Sequence, residues 1–596
     1  MRRAKRTILI AMLICVVFVP VCSAKANRGT AKTRVIHFPK DRSIGWLYQV
    51  ERPLPKDCLW HEVLVWERKR LGEAQGDVRV PADKMLRLDL GKNAWKGGRP
   101  FAGLKPDDIQ ILNFYQYSHA GDSVLKDVAR LTSVEVLFFG EGNFSERGLK
   151  HLTVLKQLKA LSLPGRTHSR GLTYLSKLPS LEYLCFGGPM VTDAKIVHIG
   201  RLTSLTQLSL GGSKVGKGLA HLKGLKSLRF LSLAATRNEH IDKHLAHIAE
   251  LTNIEEFDLG DTLVGDAGLE HLKGMIKLKK LNIGNRYYSV SHNITDAGMV
   301  HLNNLKSLEE LQLSHTGVTD IGLAQLAGLN ALKKLNVGRD VTDEGMSALA
   351  KMKSLEDLNI SSPHVTDAGM EKLAQCPHLK FLNLGRCPVT DRGLARLVKL
   401  KTLTKLSLRR TQVTGSGLTV LKELPLLTEF NVHNIDFGEA GMAHLAGLKS
   451  LERLWIYGPE GKITDDDLAD LSRVTSLKNL QITILDSSQS LITDQGLAHL
   501  ANLKALESLN IHSCQKVTDA GLRHFEGIAS LKRLRLDFSR ITKAGIARLK
   551  AKIPGVEVIV QRPVPRRNAQ PELRNKPGRT VQRRSPRPRP RLRRRR

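Results

Sequence analysis

LEELQLSHTGVTDIGLAQL, residues 308–326, contains the whole structural argument in one line. In its first half Leu308, Leu311 and Leu313 bracket a short extended segment, with Glu310 and Gln312 pointing to the opposite side by the period of two of a strand. In its second half Gly322, Leu323 and Leu326 begin an amphipathic helix on the outer side of a turn. A unit this small cannot bury both of its apolar faces, so it has to be one member of a stack.

The rest of the chain supplies the stack. Taking the apolar residue that ends each TD-x-G-L-like block gives 18 anchors from Leu125 to Ile546, and all but two of their 17 intervals fall between 23 and 26 residues. Each leucine ladder then closes against its neighbours while the strands pair side by side. The pattern LxxLxLxxN/C followed by a helical half resembles the leucine-rich repeat family, over about 420 to 440 residues. The resemblance implies an α/β solenoid, with a curved parallel sheet inside and helices outside.

The subtype is legible too. In LNIHSCQKVTDAGLRHF (509–525) Cys514 stands where other repeats carry Thr316 or Thr411, and Cys387 does so in LNLGRCPVTDRGL. This is similar to the cysteine-containing repeats of F-box adaptors, and both cysteines read as small structural residues bonding loop backbone. No F-box-like segment precedes the array, and the leader described below contradicts a ubiquitin-ligase role. A closer likeness is to exported bacterial proteins with GL-type repeats, abundant in planctomycetes, which commonly lack an assigned activity.

Composition removes other classes. The 596 residues are 41% hydrophobic, which excludes wholesale disorder, and the one long apolar run is N-terminal, which excludes a polytopic membrane protein. Residues 1–26 have a basic start, an apolar stretch and a small-residue exit, the order of a secretory signal peptide, with cleavage after Ala24 or Ala26. Export to the periplasm, cell envelope or outside is therefore expected. Cys22 invites a lipoprotein reading, against which Pro20 and Val21 speak. The five remaining cysteines are scattered without a disulfide or zinc spacing.

Residues 27–103 do not repeat; they lean towards β structure and are expected to cap the first ladder, with the array proper running over 104–560. Residues 561–596 hold 14 Arg, one Lys and seven Pro against one Glu, a net +14 in 36 residues, and predict a disordered basic tail attracted to polyanions. Three units are longer on the same rim, at 285–293, 457–462 and 483–491; the first carries Tyr287 and Tyr288, candidate partner contacts. Insertions there are partner-facing or tolerated drift.

Catalytic motifs fail on inspection. GGSKVGKG (211–218) nearly spells a phosphate loop, but Gly218 replaces the metal-ligating hydroxyl and aligns with the ordinary repeat glycine. His240, His244 and His247 have helical spacing, yet histidines recur at similar outward positions in many repeats. No enzyme activity, cofactor or metal is expected. Binding is expected instead, on the concave face, where Asp258, Asn282, Gln312, Asn336, Asn359, Asn383, Ser407, Asn431, Trp455, Gln481, Asn510 and Arg535 form one row. Arg453, Trp455 and Tyr457 alternate on one strand, with Arg386, Arg409 and Arg410 at strand exits of other units; together they suit a protein or glycan ligand, although an isolated surface aromatic explains Trp455 equally. Three functions compete: an exported recognition scaffold, a polyanion or nucleic-acid binder acting through the tail, and the disfavoured F-box-type adaptor.

Overall fold

The computed structural model describes residues 33–50, 68–92, 94–96, 98–115, 120–285, 293–437, 442–458, 463–484 and 490–561. They fall into two compact units divided between Leu451 and Glu452. Residues 1–26, read above as a signal peptide, the tail beyond 561 and Tyr287 and Tyr288 lie outside the described residues.

In the first unit, β1 (Thr33–His37) pairs antiparallel with β4 (Asp77–Pro81). β2 (Gly45–Val50) lies antiparallel to both β3 (Arg68–Glu73) and β5 (Met85–Leu90), and β5 pairs in parallel with β6 (Ile111–Asn113), the first strand of the array. From there each repeat contributes a short parallel strand whose central leucine or phenylalanine faces the core; Leu161, Leu184, Leu208, Leu231 and Leu311 are wholly buried. The second unit repeats the plan with parallel strands Arg453–Tyr457, Asn479–Thr483, Ser508–His512, Arg533–Leu536 and Glu557–Ile559. Among the described residues no helix is long and apolar enough to cross a membrane.

The TD-x-G motif owes its recurrence to an inter-repeat staple. Thr319 caps the helix Asp320–Leu326 by accepting from the Ile321 N–H, while its own hydroxyl donates to Asp296 Oδ2 of the preceding repeat at 2.6 Å. Asp296 Oδ1 also accepts from the backbone N–H of Thr319 and of Gly322, both at 2.8 Å. One carboxylate thus satisfies orphan donors at the start of the next helix. The glycine is obligatory because a Cβ on Gly322 would collide with that carboxylate. The same Thr–Asp pairing joins 295 to 266, 342 to 320, 366 to 343, 390 to 367 and 414 to 391, and in the second unit 493 to 465, 518 to 494 and 542 to 519. The chain departs from it at Gly216 and Gly265, which stand where the threonine belongs and bond the preceding aspartate through the backbone N–H alone, at Gly415, which stands where the acid belongs, and at Thr464, which closes a capping box on Asp467 of its own helix.

Two sequence readings can be followed atom by atom. A Cβ on Gly218 would run into Asp193, as one on Gly322 would into Asp296, so the phosphate-loop look-alike has the repeat register. Thr316 donates its hydroxyl to the Leu313 carbonyl at 2.8 Å and Cys514 its thiol to the Ile511 carbonyl at 3.2 Å, each three residues back. Both Cys387 and Cys514 are fully buried, and burial pushes the Cys387 thiol up to about 12. The histidine reading needs one correction: His244 is buried, not solvated, its ring 6.1 Å from that of His247, and desolvation lowers its pKa. His240 is the N-cap of the helix Ile241–Leu245 rather than part of it.

Candidate functional site: the strand face

Strand alternation decides which side chains a ligand meets. In the second unit Leu454 and Ile456 enter the core, and Arg453, Trp455 and Tyr457, each partly exposed, share the opposite face. Parallel register extends that face sideways into rows: Arg453, Asn479, Ser508, Arg533; then Trp455, Gln481, Asn510, Arg535; then Tyr457, Thr483, His512. An aromatic edge therefore opens onto carboxamides and hydroxyls at fixed lateral spacing.

The third row ends in a feature that reading strand positions alone passed over. Asp537 is completely buried, and its Oδ2 accepts from Arg535 Nε at 2.7 Å and lies 2.9 Å from His512 Nδ1. Its Oδ1 accepts from the Gln561 N–H at 3.1 Å, and the His512 ring meets Phe538 edge-on at 5.0 Å. A buried carboxylate thus orients one imidazole and one guanidinium towards the face. The signal in the sequence was the acid in RLRLDFSR (533–540), at a strand exit where the other repeats from Ser314 to His512 carry small, aromatic or basic residues but no acid.

Arg386, Arg409 and Arg410 belong to the first unit. Arg409 ends the strand Lys405–Arg409 opposite His433, while Arg386 and Arg410 hold the equivalent position in successive loops, both with left-handed backbone at φ 68° and 53°. The Arg386 N–H donates to the Arg409 carbonyl at 2.7 Å and the Arg410 N–H to the His433 carbonyl at 2.9 Å, so the two loops are stitched together. All three guanidinium-bearing residues are exposed. Burial, with Arg409 and Arg410 nearby, holds the His433 pKa below its ordinary value. Arg453, Trp455 and Tyr457 belong to the other unit, and each set stands on its own.

The face of the first unit is not uniform. Towards its N-terminal end Ile111, Val136, Phe138, Ala160 and Tyr183 form, with Val50 and Met85, an apolar cluster withdrawn from solvent. Further along, charge replaces apolar surface. Glu256 pairs with Lys280 at 2.8 Å, Glu310 with Lys334 at 2.8 Å, and Lys405 with Glu429 at 3.0 Å. A second rank at the preceding position runs Arg229–Glu255–Lys279, Glu309–Lys333 and Glu356–Lys380. Hydrogen bonds from Arg229 and Lys279, outweighing burial, pull Glu255 down to about 2. Amides line the next row, where Asn282 Nδ2 donates to Asp258 Oδ1 and Asn383 Nδ2 to Asn359 Oδ1, both at 2.8 Å. Among the described residues no group of histidines, cysteines and acids is placed to hold a metal ion.

Three segments, 304–327, 351–374 and 375–398, match the leucine-rich repeat family. With the repeat register and the parallel sheet they give the chain an α/β leucine-rich repeat solenoid fold. A search of curated proteins finds no match. Among solved structures the chain is similar to an internalin of Listeria monocytogenes, at 23% identity over 65% of this chain and 93% of that one, with a TM-score of 0.40. It is also similar to a leucine-rich repeat protein of Leptospira interrogans, at 17% identity over 79% and 99% with a TM-score of 0.34. TLR13 in complex with ssRNA13 matches at 17% identity over 80% and 66%, with a TM-score of 0.49.

Proposed function

We propose that the protein is an exported, non-enzymatic recognition scaffold that binds a protein or another macromolecule, such as a glycan, on the strand face of its repeats. The observation that carries this reading is the set of rows behind Trp455: aromatic, carboxamide, hydroxyl and imidazole groups held in lateral register, on strands whose leucines are committed to the core. Leucine-rich repeat proteins are typically protein-binding scaffolds. Arg453, Trp455 and Tyr457 are the anchors of one contact surface; Arg386, Arg409 and Arg410, with Tyr287 and Tyr288, are contacts elsewhere on the array. The segment order of residues 1–26 supports export, and 27–103 acts as the cap.

The test is affinity capture from envelope extracts with the mature chain ending at Val560. Trp455→Ala should weaken the captured partner by about 2 kcal/mol or more, the range of a central aromatic anchor, with folding unchanged. A partner that binds the variant as tightly as the parent rejects the Trp455 site. N-terminal sequencing that begins at Met1 on a cytosolic protein rejects export.

The charge of the tail favours a second reading, in which residues 561–596 bind polyanions. Affinity for heparin or RNA should then fall steeply with salt, at a log–log slope of about −0.7 to −0.9 per phosphate neutralised, and vanish in the chain ending at Val560.

A further inference from the structure

On the face of the first unit, eight residues succeed one another in strand register: Glu256, Lys280, Glu310, Lys334, Asp357, Phe381, Lys405 and Glu429. Six of them are consumed as three ion pairs, 256 with 280, 310 with 334 and 405 with 429. Asp357 is left at the centre of the row, with no ion pair or side-chain hydrogen bond among the described residues. Its register partner on the next strand is Phe381, the one aromatic of the eight. Both are partly exposed, and as register partners on adjacent parallel strands they stand side by side on the same face of the sheet.

We propose that Asp357 and Phe381 form a binding site for a cationic group, a primary ammonium or guanidinium carried by an extended ligand lying across this face. The inference rests on the strand face being the ligand face, and it concerns a place on that face distinct from the Trp455 surface. An arriving cation completes the alternation of the row by giving Asp357 the partner its neighbours already have. The face of the Phe381 ring adds a cation–π contact, which favours an organic cation over a metal ion. Asn336 and Asn359 lie in the adjacent row and bring carboxamides to the remaining N–H donors, the Asn359 oxygen with its second lone pair, since Asn383 Nδ2 already donates to it at 2.8 Å.

The charge state agrees with this geometry. Withdrawal from water is the largest influence on Asp357 and, with repulsion from Glu310, pushes its pKa up to about 6 against the pull of Lys334 and Lys405. Those two lysines are already held by Glu310 and Glu429, and the flanking Glu356 and Lys380 hold each other at 3.0 Å. A carboxylate with a raised pKa favours folding when protonated, so its charge costs stability above about pH 6 and that cost disappears as pH falls. Asp357→Asn should therefore raise the melting temperature at pH 8 and leave it unchanged near pH 4. A purely structural residue would not combine this gain with a loss of binding.

The experiment uses the full chain and a fluorescein-labelled octapeptide of alternating Gly and Lys, read by fluorescence anisotropy at pH 7.5 and pH 5.0. At pH 7.5 Asp357→Asn should weaken binding roughly tenfold, as loss of a charge-assisted contact does, and Phe381→Leu by about threefold. The parent should weaken roughly tenfold at pH 5.0, where about a tenth of the carboxylate is ionised, while Asp357→Asn shows no such step. Asp340→Asn, an exposed acid outside the row, is the control and should bind like the parent. Absence of binding by the parent, equal binding by Asp357→Asn, or an equal loss in Asp340→Asn overturns the site. Retained capture by Trp455→Ala alongside a sensitive Asp357 would instead sink the Trp455 surface alone.

Discussion

The loop at Thr319 and the strand face at Asp357 belong to the same coil of chain, yet they obey opposite rules. In the loop the chemistry is the same repeat after repeat: threonine caps, the aspartate of the previous repeat accepts, glycine makes room. On the face, successive residues at one position are Glu, Lys, Glu, Lys, Asp, Phe, Lys and Glu. A loop whose chemistry recurs with few departures is what stacking demands; a face that varies on a fixed spacing is where a ligand is specified. Substitutions in the loop should therefore cost stability, and substitutions on the face should cost little.

The largest effect should come from removing a staple. Asp343 accepts from the Thr366 N–H at 2.7 Å, the Thr366 hydroxyl at 2.6 Å and the Gly369 N–H at 2.9 Å. Asp343→Ala orphans all three and should destabilise by about 3 kcal/mol, read by thermal or urea unfolding. The exposed Asp340→Ala should stay within about 0.5 kcal/mol. Asp340 lies in the same loop outside the staple, so an equal cost for the two would show that the staple's hydrogen bonds are not what makes Asp343 costly. Acid should mimic the loss. Hydrogen bonds from the Thr542 hydroxyl and N–H hold Asp519 below the usual carboxylate range. Its stabilisation is present above its unfolded value and lost as pH falls through the lower folded one, so parent and Asp519→Asn should converge in stability at the acid end.

A smaller effect is expected at the turn between face and loop. Because Cys387 occupies the place of Thr316, Cys387→Thr should change stability by no more than about 1 kcal/mol, well below the cost of a cavity. With Cys376 raised to about 11 and Cys387 to about 12 by burial, neither thiol should react with iodoacetamide in the folded protein at pH 8. Rapid alkylation of either would contradict the packing of the turn.

The face should be nearly silent in stability. Lys334→Ala removes the 2.8 Å pair with Glu310, but that pair is partly exposed, and a cost of about 0.5 kcal/mol or less is expected, shrinking further in salt. A loss of several kcal/mol would mean that the ion-pair ranks hold the sheet together and are not a surface left free for recognition.

What the sequence revealed and what it hid follow from the same contrast. LEELQL and TD-x-G-L declare strand and helix because apolar spacing maps directly onto a core whose leucines are almost wholly buried. The equivalence of Cys514 with Thr316 was also readable, since both side chains reach a carbonyl three residues back. The Asp–Thr staple was visible as a motif but not as a contact, because its partners lie in adjacent repeats, 23 residues apart for Asp296 and Thr319. The solitude of Asp357 was hidden for a related reason: it is defined by which neighbouring charges pair with each other. His512 and Asp537 were missed because a carboxylate at a strand exit looks solvated until burial is known.

The smallest predicted effect isolates the two arginines at strand exits. Arg386 and Arg410 adopt left-handed backbone, a conformation that costs an ordinary residue about 1–2 kcal/mol and glycine nothing. Gly188 and Gly212, with φ of 99° and 68°, stand at comparable loop positions in earlier repeats. Arg386→Gly relieves that strain but gives the unfolded chain more freedom, worth about 0.5–1 kcal/mol, so the two effects nearly cancel. Stability should therefore move by less than about 0.5 kcal/mol, whereas Arg386→Val, β-branched and ill-suited to positive φ, should cost more than 1 kcal/mol. The near-neutral glycine variant then separates charge from fold: a partner that needs Arg386 loses affinity for Arg386→Gly at unchanged melting temperature. If instead the glycine variant melts well below the parent, the Arg386 side chain is bracing the loop and is not a group held out for recognition.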